Sequence, residues 1–214
     1  MIAVIDYEVG NLFSLKASLE KNGADSVLTR DPAAIHAADA IILPGVGAFG
    51  QAADKLRAFG LDQVILREAS DGKPILGICL GMQLLFEKSY EYGEHQGLGL
   101  LPGYIGSLRE DLPNPDSIVP HMGWNELNFR REEDREKWLP QGKTSIYTYF
   151  VHSFYAKECD DVLVADAEYE GIRVPGIVGK DKIWGMQFHP EKSGTDGLSL
   201  LRRFIEMTEK PEVV

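Results

Sequence analysis

Cys79 stands in the segment Gly77-Ile78-Cys79-Leu80-Gly81, between an apolar run at residues 74–78 and a helical pattern that begins at residue 80. A cysteine in the form Gly-X-Cys-X-Gly at a strand-to-helix junction fits a nucleophile elbow, where a strained turn holds the reactive side chain clear of the sheet. The two glycines answer to crowding, because a sharp turn brings neighbouring backbone against both positions. A thiol at a helix N-terminus also sits at the positive end of the helix dipole, which favours the thiolate. The amide N–H of Leu80 then points to where an oxyanion forms on attack. The plainer reading is a structural cysteine, since free cysteine is among the most buried residue types; strand, motif and helix together favour the nucleophile. Cys159, in Lys157-Glu158-Cys159-Asp160-Asp161, lacks this setting and is expected to be inert.

A nucleophilic cysteine needs a base, and the base needs an orienting partner. Of the five histidines, His189 follows the apolar run 183–188 and precedes Pro190-Glu191. Catalytic groups of a doubly wound sheet gather at the carboxyl ends of its strands, and Cys79 and His189 both stand at such ends. Glu191 is placed to accept the other imidazole N–H, fix the tautomer and stabilise the imidazolium. Gly45-Val46-Gly47 follows another strand end, and its two glycines leave the intervening peptide free to turn an N–H toward an oxyanion. Val46, Gly47 and Leu80 are therefore the expected oxyanion group, with a plain turn as the alternative at 45–47. Gln83 lies one helical turn past Cys79 and faces the same side. His36 and His95 stand in polar segments, and His152, inside an apolar strand, reads as a core histidine. A metal site of Cys79, His121, His152 and His189 is the competing assignment, but no pair has the close ligand spacing of zinc sites. No metal and no cofactor is expected.

These groups need a scaffold. Short apolar runs at 2–7, 26–29, 40–43 and 74–78 alternate with helical patterns at 11–22, around Leu61, Ile65 and Leu66, and at 80–88, which implies a parallel sheet with crossover connections. The run at 74–78 is apolar throughout, as for a strand buried on both faces. The second half reads as strands at 146–155, 162–169, 175–179 and 183–188. A last helix is capped by Asp196 with Leu198, Leu201, Phe204 and Ile205 inward. The mixed-charge run 130–137 reads as a solvated helix or loop, and the tail after Lys210 is expected to fray.

With 214 residues, 44% hydrophobic and 26% charged, the chain reads as one soluble domain spanning 1–214. Its 33 acidic residues against 22 basic ones give a net charge of −11, which repels phosphate backbones and argues against nucleic acid as a partner. No signal peptide and no membrane span is visible. The two cysteines are then expected as free thiols in the cytoplasm.

Gly77-Ile78-Cys79-Leu80-Gly81-Met82-Gln83 together with Gln187-Phe188-His189-Pro190-Glu191 resembles the class I, or triad, glutamine amidotransferases, over essentially the whole chain. The resemblance implies a single α/β, flavodoxin-like, doubly wound domain with a largely parallel central sheet and helices on both faces. It implies that Cys79, His189 and Glu191 hydrolyse L-glutamine through a glutamyl thioester. It also implies that Gly47, Gln83, Glu91, Ser153 and Phe154 hold that substrate. The segments 6–14, 43–49, 120–126, 149–155 and 187–193 are similar to the branch of the family that serves imidazole glycerol phosphate formation in histidine biosynthesis, as a heterodimer with a (β/α)₈-barrel cyclase. Glu8 departs from that branch, where glycine is usual. Asn11, Trp124, Asn125, Tyr149 and Lys192 are the expected contact face, because an exposed tryptophan beside a polar pair suits an interface; Trp124 in the core is the alternative. Glutaminases of pyridoxal phosphate or anthranilate type, a non-catalytic scaffold with this fold, and a stand-alone cysteine hydrolase remain as competing assignments.

Overall fold

The computed structural model describes residues 1–10 and 12–208. The first half runs β1 (Ile2–Ile5), α1 (Leu12–Lys21), β2 (Ser26–Thr29), α2 (Pro32–Ala37), β3 (Ala40–Leu43), α3 (Phe49–Ala58), α4 (Leu61–Ser70), β4 (Ile75–Ile78) and α5 (Leu80–Leu84). The chain continues through β5 (Phe86–Ser89), β6 (His95–Gln96), β7 (Leu101–Ser107), α6 (Leu108–Asp111), β8 (His121–Glu126), β9 (Asn128–Phe129) and α7 (Glu132–Trp138). It closes with β10 (Tyr147–His152), β11 (Phe154–Lys157), β12 (Leu163–Tyr169), β13 (Ile172–Lys180), β14 (Ile183–Met186) and α8 (Gly194–Thr208).

An eight-stranded sheet in the order β2-β1-β3-β4-β14-β13-β12-β9 forms the centre. Its first five strands are parallel and the last three are added antiparallel. The parallel part has the 2-1-3-4-5 order of flavodoxin-like sheets. Strands β1, β3, β4 and β14 are buried along their whole length, because helices cover both faces. Alternation then divides the side chains between two cores. Val4, Ile42, Leu76 and Ile78 pack with α1 and α8 through Leu15, Leu19, Leu201 and Phe204. Ala3, Ile5, Ile41 and Leu43 pack with Ile35, Phe49, Leu56 and Ile65 on the other side.

Several expected elements differ in extent or kind. The helix expected over 80–88 stops after Leu84, and Phe86–Ser89 is a strand. The reason is competition for carbonyls: Leu84 O, Leu85 O and Phe86 O accept from the N–H groups of Leu98, Leu100 and Gly99, so the helical ladder cannot continue. The single strand expected over 146–155 is two strands in two small sheets, β10 paired with β8 and β11 paired with β7, and the break falls at Ser153. Asp196 lies inside the first turn of α8 rather than capping it; its carboxylate accepts the Tyr147 N–H at 2.7 Å and pairs with Lys143. Leu198 is half-buried, and Leu200 joins Leu201, Phe204 and Ile205 in the core. Part of the mixed-charge run is helix α7, whose Trp138 is fully buried. Asn11 and the tail after Lys210 lie outside the described residues.

Candidate active site

The carboxyl ends of β1, β3, β4 and β14 meet at one edge of the sheet, and the chemistry-bearing residues follow directly from them. After β4 the chain turns at Cys79 with φ 54° and ψ −111°, a left-handed conformation that a non-glycine residue holds only against strain. The flanking glycines make the turn possible. A Cβ on Gly77 would lie 2.6 Å from the backbone of Met82, and one on Gly81 would overlap the Leu43 carbonyl. The Cys79 N–H donates to Met186 O at 2.7 Å, which ties the turn to the end of β14.

His189 follows β14, and its backbone N–H donates to Tyr149 O at 2.9 Å. Its carbonyl accepts the Ser193 hydroxyl at 2.6 Å, while Ser193 Oγ accepts the Tyr149 N–H at 2.9 Å. With its backbone fixed in this way, His189 Nδ1 donates to Glu191 Oε1 at 2.9 Å. The side chains of the pair are 3% and 4% exposed. Nδ1 being committed to the carboxylate, the other ring nitrogen serves the Cys79 thiol. Burial disfavours the charged imidazole, but its hydrogen bonds to Cys79 and Glu191 outweigh that cost and raise His189 to about 9. The arrangement is that of a cysteine nucleophile beside an imidazole base backed by a carboxylate.

A cavity of about 330 Å³ opens over Cys79 and His189. Val46, Gly47, Leu80, Gln83, Glu91, Ser153, Phe154 and Lys192 are among the residues that line it. The structure therefore brings together the residues expected to hold substrate and oxyanion. Gln83 Nε2 donates to Phe154 O at 2.9 Å and to Gln187 Oε1 at 3.0 Å. Glu91 accepts the Phe49 N–H at 2.6 Å at the start of α3. Burial raises its carboxyl, although Phe49 N–H and His95 oppose the rise.

The loop 45–47 is less free than its two glycines suggest. A Cβ on Gly45 would lie 2.6 Å from Tyr7 Oη and 2.9 Å from Gly81 N, so Gly45 is glycine because nothing larger fits. Tyr7, fully buried, donates to Pro44 O at 2.6 Å. At the Val46–Gly47 end the surroundings are open: Gly47 stands at φ 96°, and a Cβ there would meet nothing within 4 Å.

His152 is buried, as expected, and also reaches the cavity wall. His121 does not share the exposure of its neighbours. It is 1% exposed, stacked between Phe150 and Tyr169, and bonded to His152 Nε2 at 3.0 Å. The histidine pair thus bonds within itself, to Asn125 Oδ1 and to Phe154 O, and among the described residues no metal-binding group of three ligands forms. Trp124 is 55% and Met122 61% exposed on β8, so Trp124 is not a core residue. Trp124 stacks edge-on with Tyr149. Asn125 is half-buried and Lys192 exposed. Cys159 is buried away from this edge, and burial together with Asp160 pushes its thiol up to about 12. The site residues missed from sequence are Tyr7 and Gln187; the second stands two residues before His189, in the same motif.

Residues 3–207 match the glutamine amidotransferase class-I family. The imidazole glycerol phosphate synthase subunit HisH of Bacillus velezensis is 48% identical over 215 aligned positions, covering 100% of this chain and 99% of that protein. The subunit of the same name from Bacillus subtilis is 48% identical with the same coverage. Among solved structures, that of PurLQS from Thermotoga maritima superimposes with a TM-score of 0.72 over 97% of this chain and 98% of the other at 23% identity. A likeness of that kind bears on the fold.

Proposed function

We propose that this chain, which belongs to the class-I glutamine amidotransferase family and to its HisH branch, hydrolyses L-glutamine to glutamate and ammonia for a cyclase subunit that forms imidazole glycerol phosphate. The observation that carries this reading is the convergence of Cys79, His189 and Glu191 on one cavity whose walls are Gln83, Glu91, Ser153 and Phe154. Residues 1–214 act as one amidotransferase domain, without a metal or cofactor, in the cytoplasm, where both thiols stay reduced. Among the described residues no helix is long and apolar enough to cross a membrane.

In the reaction, the Cys79 thiolate attacks the carboxamide carbon of glutamine. The Leu80 N–H and the Val46–Gly47 peptide receive the oxyanion. His189 gives its proton to the departing amine, ammonia leaves, and a glutamyl thioester remains. His189 then takes a proton from water, whose oxygen attacks the thioester and releases glutamate and the thiolate. Glu191 keeps the tautomer in place throughout.

The partner is a (β/α)₈-barrel cyclase, docked as a heterodimer on the face that carries Trp124, Asn125, Tyr149 and Lys192. Such a dock covers the mouth of the cavity and keeps ammonia from protonation in bulk water. It also gives the partner control of the oxyanion peptide at Val46–Gly47. A missing oxyanion donor lowers the rate by roughly 10²–10³. The test is the glutaminase rate of the chain alone, with the barrel subunit, and with that subunit plus its ligand. A rise in the liganded complex supports the reading, and equal rates in all three refute the control. Trp124→Ala weakens the complex by about 2 kcal/mol, roughly 30-fold in Kd; unchanged affinity by titration calorimetry removes Trp124 from the interface.

A further inference from the structure

Gln187 is fully buried at the end of β14. Its backbone N–H donates to Gly176 O at 2.9 Å, and the residue before it, Met186, accepts the Cys79 N–H at 2.7 Å. The strand end is thereby held beside the nucleophile, and Gln187 Nε2 lies 3.8 Å from Cys79 Sγ, within reach of an N–H···S hydrogen bond. Which end of the amide faces the sulfur is decided by Gln83. The Gln83 amide nitrogen donates one proton to Phe154 O at 2.9 Å and the other to Gln187 Oε1 at 3.0 Å. Turning Gln83 over would set its oxygen against the Phe154 carbonyl, acceptor against acceptor. Gln187 Oε1 is therefore occupied as an acceptor, and its NH₂ group faces Sγ.

We propose that Gln187 is a further catalytic residue, a side-chain donor to the Cys79 thiolate whose orientation is set by Gln83. The proposal rests on the reading of Cys79 as nucleophile. A donor facing an ionised acceptor binds about twice as strongly as one facing a neutral group. The bond is therefore strongest when the sulfur is a thiolate, before attack and again as the thioester breaks down. His189 faces the same sulfur from the loop after β14 with Glu191 behind it, Tyr7 from the end of β1, and Glu91, His152 and Lys192 from the cavity wall. Gln187 is neutral, so it acts by donating a hydrogen bond and adds no charge.

The experiment is the pH dependence of Cys79 alkylation by iodoacetamide in the full chain, followed by mass spectrometry of the Cys79 peptide, for wild type, Gln187→Met and Gln187→Glu. Gln187→Met removes the donor. Gln187→Glu keeps the volume and an acceptor for Gln83 but turns a carboxylate oxygen to the sulfur. The midpoint is expected to rise in the order Gln, Met, Glu, by about one unit for Met, a tenfold loss of thiolate below the midpoint. A packing role alone lowers stability and leaves the Gln187→Met midpoint in place, so an unmoved or lowered midpoint in Gln187→Met overturns the proposal, as does a lowered one in Gln187→Glu. Failure of the underlying reading looks different: wild-type glutaminase would then survive complete alkylation of Cys79.

Discussion

Replacing Glu191 by glutamine probes the site at its least forgiving point. Glu191 Oε1 accepts the His189 Nδ1 proton at 2.9 Å, while the buried Oε2 finds no hydrogen-bond partner among the described residues. A glutamine side chain must put its NH₂ group at one of these two places. At the Oε2 position it is a buried donor without an acceptor, which costs about 1–3 kcal/mol. At the Oε1 position it donates to Nδ1 and moves the ring proton to the nitrogen that faces Cys79. The second arrangement is the more stable, and it gives a base that cannot take the thiol proton. Where an amide imposes the wrong tautomer on a triad, kcat falls by about 10⁴, and a loss of that order is expected here with KM little changed. The same substitution removes one of the two groups that raise His189. A raised histidine stabilises the fold fully below its unfolded pKa of 6.5, and this contribution disappears as the pH rises through about 9. Wild-type Tm therefore carries a component that declines between these values, and in Glu191→Gln that component shrinks. Glutaminase kinetics in the liganded complex and Tm against pH are the assays. A kcat within tenfold of wild type, with an unaltered pH profile of Tm, refutes the orienting role.

Cys159→Ser is expected to leave glutaminase activity within a few-fold of wild type, and wild-type protein at pH 8 takes up one equivalent of iodoacetamide, at Cys79, because burial holds the Cys159 thiol protonated. A second equivalent in the folded protein contradicts this. Glu8 sits at φ 64° and pairs with Arg30 at 3.4 Å and Lys55 at 3.6 Å on the surface. Glu8→Gly exchanges about 1 kcal/mol of left-handed strain for exposed ion pairs of little weight, so its Tm stays within about 4 °C of wild type and above that of Glu8→Ala, which keeps the strain and loses the pairs. Glu8→Ala melting higher than Glu8→Gly overturns the backbone argument.

The parallel half of the sheet and the elbow were legible because local chemistry dictates them. Runs such as Ala40–Leu43 and Ile75–Ile78 are apolar throughout, and Gly77 and Gly81 mark the turn around Cys79. The backbone at Glu8, where the branch usually has glycine, was not legible, and φ there is positive at 64°. Where long-range bonds override local pattern, the reading failed. Leu84 to Phe86 look helical, but their carbonyls are taken by residues 98–101. Residues 146–155 look like one strand, but the two halves pair with different partners, β8 and β7. His121 lies beside exposed residues in sequence and is buried because β8 alternates, with Met122 and Trp124 outward. Tyr7 and Gln187 escaped notice because neither residue type announces chemistry, and only the closeness of Gly45 and Cys79 in space gives them roles.

The central claim is that ammonia production is the chemical task of this chain and that Cys79 performs it. Product formation by the complex of Cys79→Ala with the cyclase subunit tests both parts, with glutamine and with an ammonium salt as alternative nitrogen donors. Loss of the attacking group is expected to lower the glutamine-dependent rate by at least about 10⁴-fold, while the ammonium-dependent rate stays within a few-fold of wild type. Glutamine-dependent synthesis near the wild-type rate contradicts the assignment of the nucleophile, and loss of both rates contradicts the division of labour between the two chains.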